Sequence, residues 1–148
     1  MKIEGVSEIA APRDRVWAAF LDPGTLASAI PGCDTLEAIG QDEYKAVMKI
    51  GIGPIKGVFE GKVRLLDQQP PERYRMAVEG SGGPGFVRGE ALMQLSDMEG
   101  GGTRVHYDAD IQVGGLIASV GQRMLGGASR MMLDQFFSRM TELLVARG

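Results

Sequence analysis

Apolar and polar residues alternate one by one along most of the chain. In the clearest run, Val105, Tyr107 and Ala109 alternate with charged or polar neighbours. A period of two is typical of an antiparallel strand with one buried and one solvated face. We therefore predict one strand over residues 2–11 and six more strands between Asp34 and Gly114.

Two short helices are predicted between the first strand and the second. Pro12 is suited to the first position of a helix, and apolar residues follow it at helical spacing. Asp22 is a candidate N-cap for a second helix, which begins at Pro23 and is stopped by Pro31. The first helix is therefore expected to end near Asp22.

The period changes to 3.6 residues after Gly114, and a broad apolar face continues from Ile117 to Val145. This pattern predicts a long C-terminal helix, about 45 Å in length if it is unbroken. Glycine-rich turns predict that successive strands pair with each other. The predicted fold is a single α+β domain over residues 1–148, in which a seven-stranded curved antiparallel sheet wraps around the long helix.

The buried face of the predicted sheet is rich in methionine and aromatic residues, interspersed with small ones such as Gly61 and Gly89. Small residues on a concave sheet leave space, and methionine side chains adapt to irregular shapes. We therefore predict a cavity for an apolar ligand, although large and small residues that interdigitate would instead fill the core. The candidate ligand-binding residues are Met48, Ile50, Phe59, Tyr74, Met76, Val87, Met93, Tyr107 and Ile111 from the strands, Phe86 at the mouth of the cavity, and Met124, Met131 and Met132 from the helix.

The predicted hairpin between the second and third of the six strands has an unusually apolar loop, which contains Ile52, Pro54 and Ile55. If these side chains are exposed, they form a small apolar tip that is suited to a membrane surface or a partner protein. If they fold inward, they belong to the core. The sequence leaves both alternatives open.

Charge and cysteine content limit the functional classes. The formal net charge is -3, and a negative field repels phosphate backbones, so we expect no nucleic-acid partner. Cys33 is the single cysteine, which excludes an internal disulfide and fits a reducing compartment. We expect a cytoplasmic protein whose contact with the membrane, if any, is peripheral and at its inner face.

Residues that support catalysis or metal binding are few. His106 lies on the solvated face of its strand beside Asp108, and one His with one Cys cannot form a soft-metal site. We predict no metal, no cofactor and no catalytic residue. On the predicted registers, the polar side chains that could face a cavity are those of Ser7, Tyr74 and Tyr107.

The order of elements resembles the helix-grip fold of the START/SRPBCC superfamily. Within that superfamily, several segments are similar to the carbon monoxide dehydrogenase G-subunit (CoxG) family: Pro12 with Val16-Trp17 and Phe20, Asp22-Pro23 with Leu26, Ile30-Pro31-Gly32-Cys33, Ile52-Gly53-Pro54-Ile55-Lys56-Gly57, Phe59-Glu60-Gly61, Gly80 to Gly89, and Gly126-Gly127 before Met132 and Phe136-Phe137. The resemblance implies a non-catalytic accessory protein of a molybdenum-flavin hydroxylase of the carbon monoxide dehydrogenase type, which links the enzyme to the membrane and its quinone pool. A quinone or another isoprenoid lipid is then the expected ligand.

Three hypotheses of function remain at this point. The first is a carrier or adaptor that binds a hydrophobic small molecule. The second is an enzyme of the polyketide cyclase/dehydrase type that acts on an aromatic substrate, which needs an acid or base inside the cavity. The third is a structural adaptor with a filled core.

Overall fold

The computed structural model describes residues 1–146, which form a seven-stranded antiparallel sheet, three α-helices and one 3-10 helix. This architecture is the one predicted from the sequence. The elements in chain order are β1 (Lys2–Ile9), α1 (Arg13–Phe20), α2 (Pro23–Ala29), β2 (Cys33–Gly40), β3 (Glu43–Ile52), β4 (Ile55–Gln69), β5 (Arg73–Gly82), β6 (Gly85–Asp97), β7 (Thr103–Gly114), the 3-10 helix (Gly115–Val120) and α3 (Gln122–Ala146).

Each strand from β2 to β7 pairs with the next one along the chain, as the glycine-rich turns predict. β1 pairs with β7, so the order across the sheet is β1-β7-β6-β5-β4-β3-β2. The two edges of the sheet are therefore β1 and β2. One face of the sheet packs against α1 and α3, and the other face carries the charged residues.

The predicted strand faces are confirmed by the register. Tyr74, Met93 and Tyr107 lie side by side on three neighbouring strands, and all three are buried. Their chain neighbours, such as Arg73 and Gln94, form the next row on the opposite face and are exposed. Side chains alternate strictly between the two faces along a strand. The face of one residue therefore determines the face of every other residue in the regular part of that strand.

An aromatic cluster holds the helices to the sheet. The Phe20 ring in α1 lies 6.4 Å from the Tyr74 ring in β5, and 6.0 Å and 6.2 Å from the Phe136 and Phe137 rings in α3 (centroid distances). Trp17 meets Tyr74 edge to face at 5.4 Å. Aromatic pairs in such arrangements add about 0.5–1.5 kcal/mol each beyond the area that they bury.

The C-terminal helix does not run unbroken from Ile117, because a 3-10 helix precedes α3 and Gly121 separates the two with a φ of 89°. The backbone N–H of Ile117 donates to the carbonyl of Pro84 at 2.7 Å, which ties this segment to the turn between β5 and β6. Glycine adopts such a positive φ without steric cost, so the chain can change direction at Gly121. The 25 residues of α3 are about 38 Å long.

Two glycines on the buried face do not leave empty space, contrary to the expectation from the sequence. A Cβ on Gly61 would overlap the backbone of Glu79 on β5, and one on Gly89 would lie 3.2 Å from the carbonyl oxygen of Asp110. At Gly61 the missing side chain instead lets two curved strands approach each other closely. The close approach of β4 and β5 therefore depends on this position.

The first prediction concerns the N-cap of α2. The Asp22 carboxylate accepts hydrogen bonds from the Thr25 backbone N–H at 2.9 Å and from the Thr25 hydroxyl at 2.6 Å. Asp22→Ala should lower the free energy of unfolding in urea by about 1 kcal/mol, because the cap is lost. Asp22→Asn keeps an acceptor oxygen and is the matched control. Equal stability of the two variants would contradict this role.

The second prediction concerns the close approach of β4 and β5. Gly61→Ala should cost about 1–3 kcal/mol of unfolding free energy, because the added methyl group forces the two strands apart. Gly83→Ala is the control, since a Cβ there meets no atom within 4 Å. Denaturant titration of both variants checks the difference. A Gly61→Ala protein as stable as Gly83→Ala would show that the strands separate at little cost.

Candidate functional site

The apolar interior between the sheet and the helices divides into two clusters of buried residues. The proximal cluster is the larger one and contains the aromatic residues that hold α1 and α3 to the sheet. The distal cluster lies at the other end, where the turns and the start of α3 meet. Its buried members are Ile52, Phe59, Ile117 and Leu125, and Met1, Met48, Ile50, Val87, Val113, Val120 and Ala128 pack around them partly buried.

The distal cluster differs from the proximal one in composition. It contains a single aromatic ring, Phe59, and most of its members are aliphatic side chains or methionines that are partly exposed. Met48 lies directly opposite Phe59 on paired strands. Aliphatic and methionine side chains without fixed ring contacts rearrange more readily than interlocked aromatic ones. This end of the interior is therefore the part of the fold best suited to admit an apolar guest.

Glycines bring three turns together around the distal cluster. Gly53, with a φ of 58°, lies under the Met124 side chain of α3. Gly57 lies under the ring of Pro84. Gly85, with a φ of 128°, lies against the backbone of Gly114. Side chains at these positions would collide with their neighbours, so the glycines allow the loops to close over this end of the molecule.

The residues predicted to bind a ligand fall into three groups. The distal cluster contains Met48, Ile50, Phe59 and Val87. The proximal cluster contains Tyr74, Met76, Met93, Tyr107 and Ile111, and Met132 is partly buried on α3. The remaining three are exposed: Phe86 and Met124 to 44%, and Met131 to 61%.

The exposure of Phe86 and of Met131 follows from the face of the element on which each residue lies. Phe86 belongs to the same strand face as Arg88, and its ring packs over Gly114 on the outer side of the sheet. It does not line the interior. On α3, the inward residues include Leu125, Met132 and Phe136, and Met131 lies outside this stripe. Sequence reasoning missed Leu125, although its spacing of seven to Met132 places both residues on one helix face.

The apolar loop between β3 and β4 is folded inward in part. Ile52 is buried in the distal cluster, Ile55 is partly buried and Pro54 is exposed. Leu116, in the neighbouring 3-10 helix, is 61% exposed. The apolar surface at this end therefore comes from Pro54, Leu116 and Met124 together, rather than from the hairpin tip alone.

The interior contains one polar group without a partner. The hydroxyl of Tyr74 is buried and forms no hydrogen bond with any residue between 1 and 146. Burial raises the pKa of this phenol well above its ordinary value, so it stays protonated at neutral pH. Burial, followed by the Asp34 carboxylate, also raises the pKa of the Cys33 thiol. Neither group is prepared to act as a base or a nucleophile.

Many of the other polar groups lie on the outer face of the sheet. His106 is 2.9 Å from the Glu4 carboxylate on the outer face of the sheet. A groove of about 610 Å³ on the same face is lined by side chains of both charges, including Arg75, whose Nη1 lies 3.2 Å from the Glu90 carboxylate. Within residues 1–146, no three His, Cys, Asp or Glu residues are grouped so as to hold a metal ion. No helix in that range is both long and apolar enough to cross a membrane.

Solved structures share this arrangement. A conserved protein from Geobacillus kaustophilus is 36% identical, with a TM-score of 0.95 over 99% of this chain and 96% of that one. A START superfamily protein from Mycobacterium smegmatis is 12% identical, with a TM-score of 0.76 over 99% of both chains. An aromatase/cyclase from Streptomyces sp. R1128 is 16% identical, with a TM-score of 0.71 over 99% of this chain and 94% of that one.

The last two similarities concern the fold alone, and they confirm the START-like helix-grip fold predicted from the sequence.

No curated protein matches the chain in sequence. The model of the family described as the carbon monoxide dehydrogenase G-subunit (CoxG) matches residues 5–145. That range contains both apolar clusters except Met1 and Ile3, all of the sheet after Glu4 and nearly all of α3. The family and the fold together indicate a ligand-binding type of protein. Because the family model covers residues 5–145, the chain belongs to the CoxG (carbon monoxide dehydrogenase G-subunit) family.

Proposed function

We propose that this protein is a non-catalytic binding protein for a hydrophobic small molecule, a quinone or a lipid. We further propose that it serves as an accessory factor that links a molybdenum hydroxylase of the carbon monoxide dehydrogenase type to the membrane. The observation that carries the ligand proposal is the distal cluster, a group of buried and partly buried apolar side chains at one end of the interior. The proposed partner enzyme follows from the name of the family.

A quinone with an isoprenoid chain suits this lining. Burial of apolar surface contributes about 25 cal/mol per Å², so about 300 Å² of ligand surface would contribute about 7.5 kcal/mol before the costs of association. Met48 and Ile50 from β3 and Val87 from β6 supply flexible or aliphatic contacts on the sheet side. Ile117 and Leu125 supply the opposite wall. A ligand would enter by displacing side chains that are already partly exposed.

Binding is favoured over conversion because the interior offers little acid-base chemistry. The Tyr74 phenol is held in its neutral form by burial, which raises its pKa, and it contacts the rings of Trp17 and Phe20. A cyclase or dehydratase requires a group that exchanges a proton with the substrate near neutral pH. The similarity to an aromatase/cyclase is one of fold, so it does not carry that protein's activity to this chain.

We propose that the distal end is also the surface that approaches the membrane. Pro54, Leu116 and Met124 are exposed there, and Ile55 is partly exposed. A ligand that partitions into lipid would then leave the bilayer beside the lining that receives it. Exposed apolar residues around a binding site are typical of proteins that contact a membrane surface or a partner.

The third prediction tests the ligand site. Met48→Trp places a large ring within the distal cluster and should weaken the binding of a short-chain menaquinone by at least about tenfold, because the ring occupies the volume of the guest. Met131→Trp makes the same substitution on the exposed side of α3 and should bind as the unchanged protein does. Quenching of intrinsic fluorescence, with a check of thermal stability, measures both.

Two results would count against this site. The unchanged protein could fail to bind menaquinone and retain no lipid on solvent extraction, which would favour a structural adaptor. Alternatively, Met48→Trp and Met131→Trp could bind menaquinone equally well, which would move the ligand away from the distal cluster.

The fourth prediction tests the membrane surface. Leu116→Glu should reduce co-sedimentation with phosphatidylcholine vesicles by at least about tenfold, since transfer of a leucine side chain from water contributes about 1.5–3 kcal/mol. Ile39→Glu is the matched control, because Ile39 is 48% exposed in β2 near the opposite end of the sheet. Equal loss of vesicle binding in both variants would show that added charge alone is responsible.

A further inference from the structure

The stretches of chain that build the distal end contain no acidic residue. Residues 44–59 include the hairpin between β3 and β4, residues 80–89 include the turn between β5 and β6, and residues 111–133 include the end of β7, the 3-10 helix and the start of α3. Together they carry six of the sixteen Lys and Arg residues and none of the nineteen Asp and Glu residues. The distal end is therefore cationic in a protein whose formal net charge is -3.

Lys56 and Arg123 belong to the same surface as the exposed apolar residues of this end. Lys56 follows Pro54 by two residues in the hairpin, and Arg123 precedes Met124 in the first turn of α3. The Met124 side chain lies over Gly53, next to Pro54, so the hairpin and the helix meet at this point. Both cations are therefore placed beside apolar side chains that are open to solvent.

Neither of these cations is balanced by a carboxylate. Both are exposed, and within residues 1–146 neither forms an ion pair. The next acidic residue along β4 is Glu60, four positions from Lys56 and thus about 13 Å away. That distance exceeds the Debye length of about 10 Å at 0.1 M salt. Lys49 differs, because its ammonium group lies 4.0 Å from the Asp34 carboxylate.

The uneven distribution of charge orients the protein near a negatively charged surface. Such a surface attracts the distal end and repels the rest of the chain, which contains every Asp and Glu residue. The apolar residues Leu116 and Met124, which are 61% and 44% exposed, then face the same surface as the cations. Orientation by charge would precede any apolar contact, because electrostatic attraction acts over a longer distance.

We propose that the distal end docks on membranes that contain anionic phospholipids. Lys56 and Arg123 contact the negatively charged head groups, while Pro54, Leu116 and Met124 reach the boundary with the acyl chains. This inference rests on the approach of the distal end to the membrane proposed above, and it adds the class of lipid. An acidic patch on a partner protein would match the charges as well. A bilayer is favoured because the proposed ligand partitions into lipid and enters at this end.

The fifth prediction compares vesicles of phosphatidylcholine with vesicles of an equimolar mixture of phosphatidylcholine and phosphatidylglycerol. At low salt the unchanged protein should bind the mixed vesicles at least about tenfold more tightly in co-sedimentation, because each Lys or Arg near an anionic surface contributes about 1 kcal/mol, or about fivefold. The double variant Lys56→Gln with Arg123→Gln should lose most of this gain and keep its binding to phosphatidylcholine. High salt should have the same effect on the unchanged protein, since salt screens the attraction.

The double variant Arg64→Gln with Arg139→Gln is the matched control. Both arginines are exposed, lie outside the three stretches and form no ion pair in the described part of the chain, so this variant should prefer the mixed vesicles as the unchanged protein does. Equal losses in the two double variants would overturn the proposal, because net charge alone would then be responsible. Equal binding of the unchanged protein to both kinds of vesicle would overturn the lipid class and leave the apolar docking intact. Binding to neither would overturn the proposed membrane surface as well.

Discussion

The packing of Phe20 is the interaction on which the rest of the structure depends. This fully buried ring in α1 contacts Tyr74 on the sheet and both Phe136 and Phe137 on α3. It thereby joins three elements that are far apart in the chain. Tyr107 extends the cluster to β7 through its stacking on Phe137. Because interlocked rings lose many contacts if one of them moves, this end of the interior is rigid.

The rigidity of the proximal end permits adaptability at the distal end. Protein stability is not uniform, and binding regions are commonly taken from the parts with fewer buried contacts. Here the distal cluster is bounded by glycine-containing turns, and members such as Met48 and Val113 are only partly buried. The chain can therefore rearrange around Ile117 and Leu125 without disturbing the contacts of Phe20. A fold anchored at one end and adaptable at the other suits reversible binding of an apolar guest.

The sequence correctly predicted the features that depend on residues close to one another in the chain. The period of two identified the buried faces of the strands, and Tyr74 and Met93 are confirmed as inward neighbours. Features that depend on distant parts of the chain were not predictable. The break at Gly121 accompanies a hydrogen bond from Ile117 to the Pro84 carbonyl, and the closeness of Gly61 to β5 depends on how the sheet curves.

The candidate sites also differ in whether they depend on local or on long-range features of the chain. The candidate ligand-binding residues Met48, Ile50, Phe59 and Val87 were placed on the inward side because each lies on a regular strand face. Leu125 was missed, and Phe86 and Met131 were included although they are exposed, because apolar character alone does not fix the side of an element on which a residue lies. A cleft between β1 and α3 brings Tyr107 close to Glu142, which is far from it in sequence. No local pattern joins such residues, so only the folded structure shows that they lie together.

The chemistry of the distal lining also bears on how a carrier releases its ligand. An apolar lining binds in proportion to the area that it buries, at about 25 cal/mol per Å², and contributes few directional hydrogen bonds. Side chains such as Met48 and Ile50 remain partly exposed, so the area available to a guest is limited. The proposed ligand would then bind with moderate affinity, and its dissociation would require no proton transfer or breakage of a buried ion pair. A protein that passes a quinone between a bilayer and an enzyme needs that balance, whereas a storage protein would gain from a fully enclosed site.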